Sequence, residues 1–164
     1  MKITIKPKTI NKKNFSKFGQ IIDTSKKTYF RINNGYAKRY DNLGKINTST
    51  KKGKAIVSIF SAKKRRFPMK IDMMEKHPLG SQAFIPMKET TFLVFVAPKE
   101  EKLDLNKIEA FIIPPGIGVN YNPGTWHFPL ISTEDMNFLV VDRKGSGDNL
   151  VIENLDKENI TLKY

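Results

Sequence analysis

The chain has 164 residues, enough for one domain around a single core, and its eleven Phe within a 39% hydrophobic content argue against a disordered polymer. With no cysteine, disulfides, thiolate nucleophiles and cysteine-based zinc sites are excluded. The net charge of +13 comes mainly from lysines in scattered clusters, with few arginines and no recognisable nucleic-acid module. It reads as a solvated surface whose positive field draws in small anions, not as a nucleic-acid interface.

Taken in chain order, residues 2–5 alternate as a strand, and residues 11–18 read as a short helix with Asn11 as N-cap and Gly19 just past its end. Residues 20–23 are a short strand or the exit from that helix. Residues 24–53 are the least regular part, polar and rich in Lys and Asn, and are expected as a mobile excursion or a loop folded over the site near the open end of the fold. Residues 55–61 form a β-rich run that ends in the basic cluster Lys63, Lys64, Arg65 and Arg66. Residues 83–85 and 91–97 are predicted as strands on either side of a hairpin turn at 86–89. Strands at 110–113, 118–121, 126–130 and 138–142 follow at short spacing, with Pro/Gly turns between them and a helical turn at 104–109. This pattern of many short strands and almost no helix predicts a mainly all-β fold, a closed or two-sheet architecture. No apolar run approaches the length of a membrane span and the N-terminus has no signal-peptide core, so a soluble cytoplasmic protein of one domain, 1–164, is expected.

Both histidines fall in the two most unusual stretches: His77 in EKHPLGSQAFIPM (75–87) and His127 in NYNPGTWHFPL (120–130). Imidazole moves protons near neutral pH and also ligates metals. At the Pro123-Gly124 reversal, Trp126 and His127 must point to opposite faces of the strand they begin. Gly116-Ile-Gly118 lacks the third glycine of a dinucleotide loop, and no P-loop or nucleophile elbow is present.

The Pro-Gly-x-x-His turn is similar to the second motif of the cupin superfamily. More narrowly, residues 32–35 (INNG) with Arg39-Tyr40, then HPLGSQAFIPMK (77–88), then Gly118–Tyr121 with Trp126-His127, then Val141-Asp142-Arg143 resemble the ureidoglycolate lyase family from the N-terminal strand to about residue 160. The resemblance implies a cupin-like β-barrel or jelly roll with one or two short helices, a homodimer, and cleavage of (S)-ureidoglycolate to glyoxylate and urea in allantoin catabolism. A related metal-poor cupin enzyme acting on another small polar acid, or a noncatalytic anion-binding cupin, is the competing reading.

Cleaving a carbinolamine C–N bond needs a base for the hydroxyl proton, an acid for the departing urea nitrogen and an anchor for the carboxylate. His127, His77 and Lys88 are the expected proton carriers. Arg39 or Arg143 is expected to hold the carboxylate in a bidentate fork. Gln82 and Asn33 are expected to read the urea edge, and Tyr121 and Trp126 to line the pocket. Two His and one Gln are too few strong ligands for a transition metal, so no metal and no cofactor are expected.

Overall fold

Period-two alternation shapes Met136–Lys144, one of the two longest strands, whose residues Met136, Phe138 and Val140 are buried while those between them are more accessible. The computed structural model, which describes residues 2–25 and 28–164, packs this strand into a five-stranded antiparallel sheet. Its order is Gly19–Ile22, Gly118–Tyr121, Gln82–Pro86, Met136–Lys144 and Lys54–Ala62. A second sheet faces it, in the order Val151–Asn154, Met73–Lys76, Trp126–His127, Phe92–Ala97, Glu109–Ile113 and Lys8–Thr9, with Ile131–Ser132 also paired to Phe92–Ala97. A small sheet of Ile3–Ile5, Ile160–Leu162 and Met69–Ile71 joins the two ends of the chain. This is a mainly β, cupin-like sandwich.

Two clusters of buried side chains explain why Phe92–Ala97 is a continuous apolar run instead of an alternating one. Phe92, Val94 and Val96 enter the core between the large sheets, with Phe111, Phe138 and Val140. Leu93, Phe95 and Ala97 enter a second core with Trp126, Ile71 and Leu162. A strand covered on both faces has no polar side to show.

The helix is shorter than the sequence suggests. It spans Lys12–Phe15, with Asn11 and Asn14 each accepting the other's backbone N–H. Phe15 and Phe18 are both fully buried, which turns the chain into the core, and the strand starts at Gly19 because a Cβ there would stand 1.9 Å from the carbonyl oxygen of Asn120.

Two further expectations are corrected. Strands Gln82–Pro86 and Phe92–Ala97 do not form a hairpin: they belong to different sheets, and the 87–91 connection crosses from one to the other. Nor does the 24–53 stretch cover the cavity between the sheets. Lys26 and Lys27 lie outside the described residues. The rest holds a hairpin of Phe30–Ile32 with Ala37–Arg39 and a segment laid on the outer face of the five-stranded sheet. There the Lys45 carbonyl accepts from Asn120 Nδ2 at 2.9 Å, the Asn47 N–H donates to Ser81 Oγ at 2.8 Å, and the Ser81 N–H donates to the Asn47 carbonyl at 2.8 Å. The buried amide of Asn120 ties this segment to the sheet, since its Nδ2 donates to Gln20 Oε1 at 2.7 Å as well as to the Lys45 carbonyl.

Candidate active site

The site is built by strand parity. Glu75 and His77 are two residues apart, so their side chains leave the chain on the same side, and His127 is the direct cross-strand partner of Glu75. All three face the five-stranded sheet, which sends Gln82, Tyr121 and Asp142 back toward them. The intervening residues Met74, Lys76 and Trp126 face the second core. Trp126 and His127 therefore divide as the turn requires: Trp126 packs away from the cavity, and its Nε1–H donates to the Glu100 carbonyl at 3.2 Å.

Backbone contacts fix both rings. Gly124, at φ +81°, donates its N–H to the His77 carbonyl at 2.9 Å, which ties the turn before His127 to the strand end that carries His77. His77 Nδ1 lies 2.7 Å from the Asn149 carbonyl and His127 Nδ1 lies 3.0 Å from the Thr125 carbonyl. A carbonyl only accepts, so each Nδ1 carries a proton and each Nε2 is turned inward, away from the backbone. Those Nε2 atoms stand 3.8 and 3.5 Å from Glu75 Oε1. Tyr121 stacks on the His127 ring at 4.6 Å and holds its plane.

These contacts set the ionisation. Burial raises the Glu75 carboxyl, but the hydrogen bond and charge of His127 and the charge of His77 outweigh it and hold it below the usual range. Burial, then the charge of His127, depresses His77 against the opposing pull of the Asn149 carbonyl, Glu75 and Asp142. Burial and then Glu75 push the Tyr121 phenol upward, so it stays protonated.

The cavity between the sheets measures about 410 Å³ and is lined by Glu75, Gln82, Tyr121 and His127 at its floor. Phe60, Phe84 and Phe128 supply apolar wall, and Lys63, Lys64 and Arg65 stand along the side that follows the edge strand. Buried side-chain atoms without a hydrogen-bond partner concentrate here: His77 Nε2, His127 Nε2, Gln82 Oε1 and Asp142 Oδ1, with Asn120 Oδ1 elsewhere. Gln82 is oriented by its Nε2, which donates to Asp142 Oδ2 at 3.3 Å and leaves Oε1 free.

Other expected site residues are placed elsewhere. Lys88 is exposed on the inter-sheet connection and pairs with Glu134. Arg39 is exposed and bound to Asp41 at 2.6 Å. Asn33 lies in the exposed tip of the 30–39 hairpin, at φ +53°. Arg143 is buried, and its guanidinium donates to the carbonyls of Thr50 and Ser146, both at 2.7 Å through Nη2. It points to the face opposite Asp142, so the two neighbours form no ion pair. Sequence reasoning passed over Glu75. The Glu75-x-His77 spacing signals it once residues 73–76 are read as a strand.

Glu75 changes the metal count as well. One ligand atom from each of Glu75, His77 and His127 lies within 4.8 Å of the others. Two orphaned imidazole nitrogens and a carboxylate converging on one point are a donor set that fits a divalent ion, so the expected two-His, one-Gln inventory was incomplete.

A cupin-type sandwich with an acid–base cluster at the floor of a small cavity defines an enzyme that works on a small polar molecule. The family described as ureidoglycolate lyase matches residues 2–162. A ureidoglycolate lyase of Pseudomonas aeruginosa is 46% identical over 147 residues, covering 89% of this chain and 87% of the relative. Those of Stutzerimonas stutzeri and Azotobacter vinelandii are 45% and 41% identical over 148 residues, each covering 90% of this chain and 86% and 88% of the relative. The chain belongs to the ureidoglycolate lyase family.

Proposed function

We propose that the protein cleaves (S)-ureidoglycolate to glyoxylate and urea, as a single domain over residues 1–164. One observation carries this reading: buried polar atoms without a partner gather at and just behind the cavity floor. His77 Nε2, His127 Nε2, Gln82 Oε1 and Asp142 Oδ1 have no hydrogen-bond partner, and the Glu75 carboxylate lies beside the two imidazoles. A hydroxyl and a ureido group together bring N–H, O–H and carbonyl groups that can meet such atoms.

In the proton-shuttle reading, His127 Nε2 takes the substrate hydroxyl proton as the C–O bond becomes a carbonyl and the C–N pair withdraws to nitrogen. The imidazolium, held 3.5 Å from Glu75, then returns that proton to the departing nitrogen, giving glyoxylate and neutral urea. Gln82 Oε1 accepts from the ureido end, and Tyr121 keeps the His127 ring in plane. The converging donor set supports a second reading, in which Glu75, His77 and His127 hold a divalent ion. Such an ion, when bound, supplies Lewis-acid polarisation of a substrate oxygen.

The homodimer is proposed on the outer face of the five-stranded sheet. Register places Val57, Ile59, Ile85, Leu139 and Val141 on this face, with Val57 68% and Ile59 52% exposed. A solvated antiparallel face is normally polar. A second copy related by a two-fold axis covers the patch with itself, and Val57→Lys with Ile59→Lys should convert a dimer to a monomer in light scattering. Cytoplasmic residence is part of the same reading. Among the described residues, no helix is long and apolar enough to cross a membrane. The deciding assay mixes the purified protein with (S)-ureidoglycolate and measures glyoxylate and urea: equal release of both supports the lyase, whereas ammonia in place of urea assigns a hydrolase.

A further inference from the structure

We propose that Arg65, with Lys64 beside it, binds the substrate carboxylate at the cavity mouth and thereby sets which end of the substrate reaches the floor. The inference rests on the lyase reading and extends it to recognition of the anion.

The cationic side chains that line the cavity, Lys63, Lys64 and Arg65, all come from one wall, at residues 60–65, whereas Glu75, Gln82 and Tyr121 stand on other strands. A substrate with one anionic end and one ureido end is therefore oriented with its anion toward the 60–65 wall. Of the five arginines in the chain, Arg65 alone lines the cavity. Arg39 is engaged by Asp41, and Arg143 is spent on two carbonyls.

Arg65 is also prepared for the task. Its backbone N–H donates to the Ser132 carbonyl at 2.9 Å, and the Lys64 N–H donates to Asp135 Oδ1 at 2.8 Å, so the stem of the side chain starts from a pinned strand end. The guanidinium lies over the Phe128 ring, 5.8 Å from its centroid, and Phe128 is one residue after His127. This contact keeps the guanidinium beside the cavity wall, where a carboxylate can meet it. Lys63 is different: its Nζ is bound to Asp135 at 2.9 Å. Among the described residues, no carboxylate forms an ion pair with Arg65 or with the Lys64 ammonium. A planar guanidinium with an open edge matches a carboxylate bidentately, which a lysine in the same place does not.

The test uses the full-length protein and its Arg65→Met, Arg65→Lys and Arg66→Met variants. Arg66 does not line the cavity, so its variant removes the same charge without the contact. Arg65→Met is expected to raise KM for ureidoglycolate about tenfold or more, with the Lys variant intermediate and the Arg66 variant near wild type. Inhibition by oxamate, a small carboxylate, should weaken in parallel, while inhibition by neutral urea stays unchanged. An unchanged KM and oxamate inhibition in Arg65→Met overturns the proposal. So does a KM that rises equally in the Arg66 variant, or weakening of urea as much as oxamate. If the wild type fails to cleave ureidoglycolate, the lyase reading falls first. Calorimetric binding of oxamate to wild type and Arg65→Met then decides the carboxylate site alone: loss of binding in the variant keeps it, and equal or absent binding removes it.

Discussion

Two faces of one short stretch behave in opposite ways. On the outer face of Met73–Lys76 and its partner strand, Lys76 is buried, yet its ammonium donates to the carbonyls of Glu100 and Glu101 at 2.7 and 2.8 Å and lies 4.3 Å from the Trp126 ring centroid. Every demand of that charge is met. On the inner face, one residue away in either direction, the Nε2 atoms of His77 and His127 have no partner, and neither does Gln82 Oε1 opposite them. Leaving buried polar atoms unmet costs about 1–3 kcal/mol each, and all of them but Asn120 Oδ1 gather at this one place, where a ligand can meet them. Satisfied burial marks structure here, and unsatisfied burial marks the site.

The sharpest way to break that contrast is His127→Asn. Turnover should fall about a hundred- to ten-thousand-fold, while the melting temperature falls only by what the lost Thr125 contact and Tyr121 stacking contribute. A large drop in melting temperature with normal activity per folded molecule would move His127 to the structural side.

Glu75→Gln comes next. It keeps the shape of the side chain but removes the charge facing both rings, and turnover should fall, though by less than for His127→Asn. In thermal unfolding, the chelator-treated wild type should gain stability from added Ni²⁺ or Zn²⁺, and the Gln variant should gain much less. The same preparation separates the two chemical readings. Turnover that persists in the stripped enzyme assigns the proton transfer to His127; turnover that returns only with the ion assigns the cluster to holding it.

Lys76→Met probes the opposite face. The Glu101 carbonyl loses its ammonium donor and the Glu100 carbonyl keeps only the Trp126 N–H, so unfolding should come about 1–3 kcal/mol earlier in denaturant titration, with kcat and KM of the folded enzyme preserved. A kinetic defect of the size seen for His127→Asn would erase the distinction between the faces.

The smallest effect lies far from both. Glu109 is half-buried and paired with Lys8 and Lys17; burial raises its carboxyl, but the hydrogen bonds and charges of the two lysines win and hold it low. A carboxyl depressed on folding adds stability that is present above its unfolded value, near 4.5, and lost as pH falls through the lower folded value. Glu109→Gln should thus cost under about 1 kcal/mol at pH 7 and nothing in strong acid.

Much of the sandwich was readable beforehand because its longest strands carry their own pattern. Residues 138–141 and 92–97 are apolar β-rich runs, and the Pro/Gly turns between strands are explicit. Some of the short strands were missed, namely Lys8–Thr9, Ile131–Ser132 and Val151–Asn154, since pairing and not local preference makes them strands. The hairpin of residues 30–39 was hidden in a polar stretch for the same reason. At the site, His127 and Gln82 announce themselves by their motifs, and Glu75 by its spacing from His77. Arg65 does not: in the sequence it is one member of a basic run, and only the return of Lys54–Ala62 beside the cavity separates it from Arg66. Lys88 misled in the converse way, because a turn between two strands looks the same whether they share a sheet or not.

Trp126 is the only tryptophan in the chain, and it sits back to back with the residue at the cavity floor. Its indole is fully enclosed, with the Lys76 ammonium over the ring and the Glu100 carbonyl at its N–H. Emission from this protein therefore comes from one dry, electrically biased location whose backbone is continuous with that of His127. Any ligand that shifts the turn at residues 123–125 reaches the fluorophore through a single peptide bond, and occupancy of the cavity becomes an optical titration that needs no label.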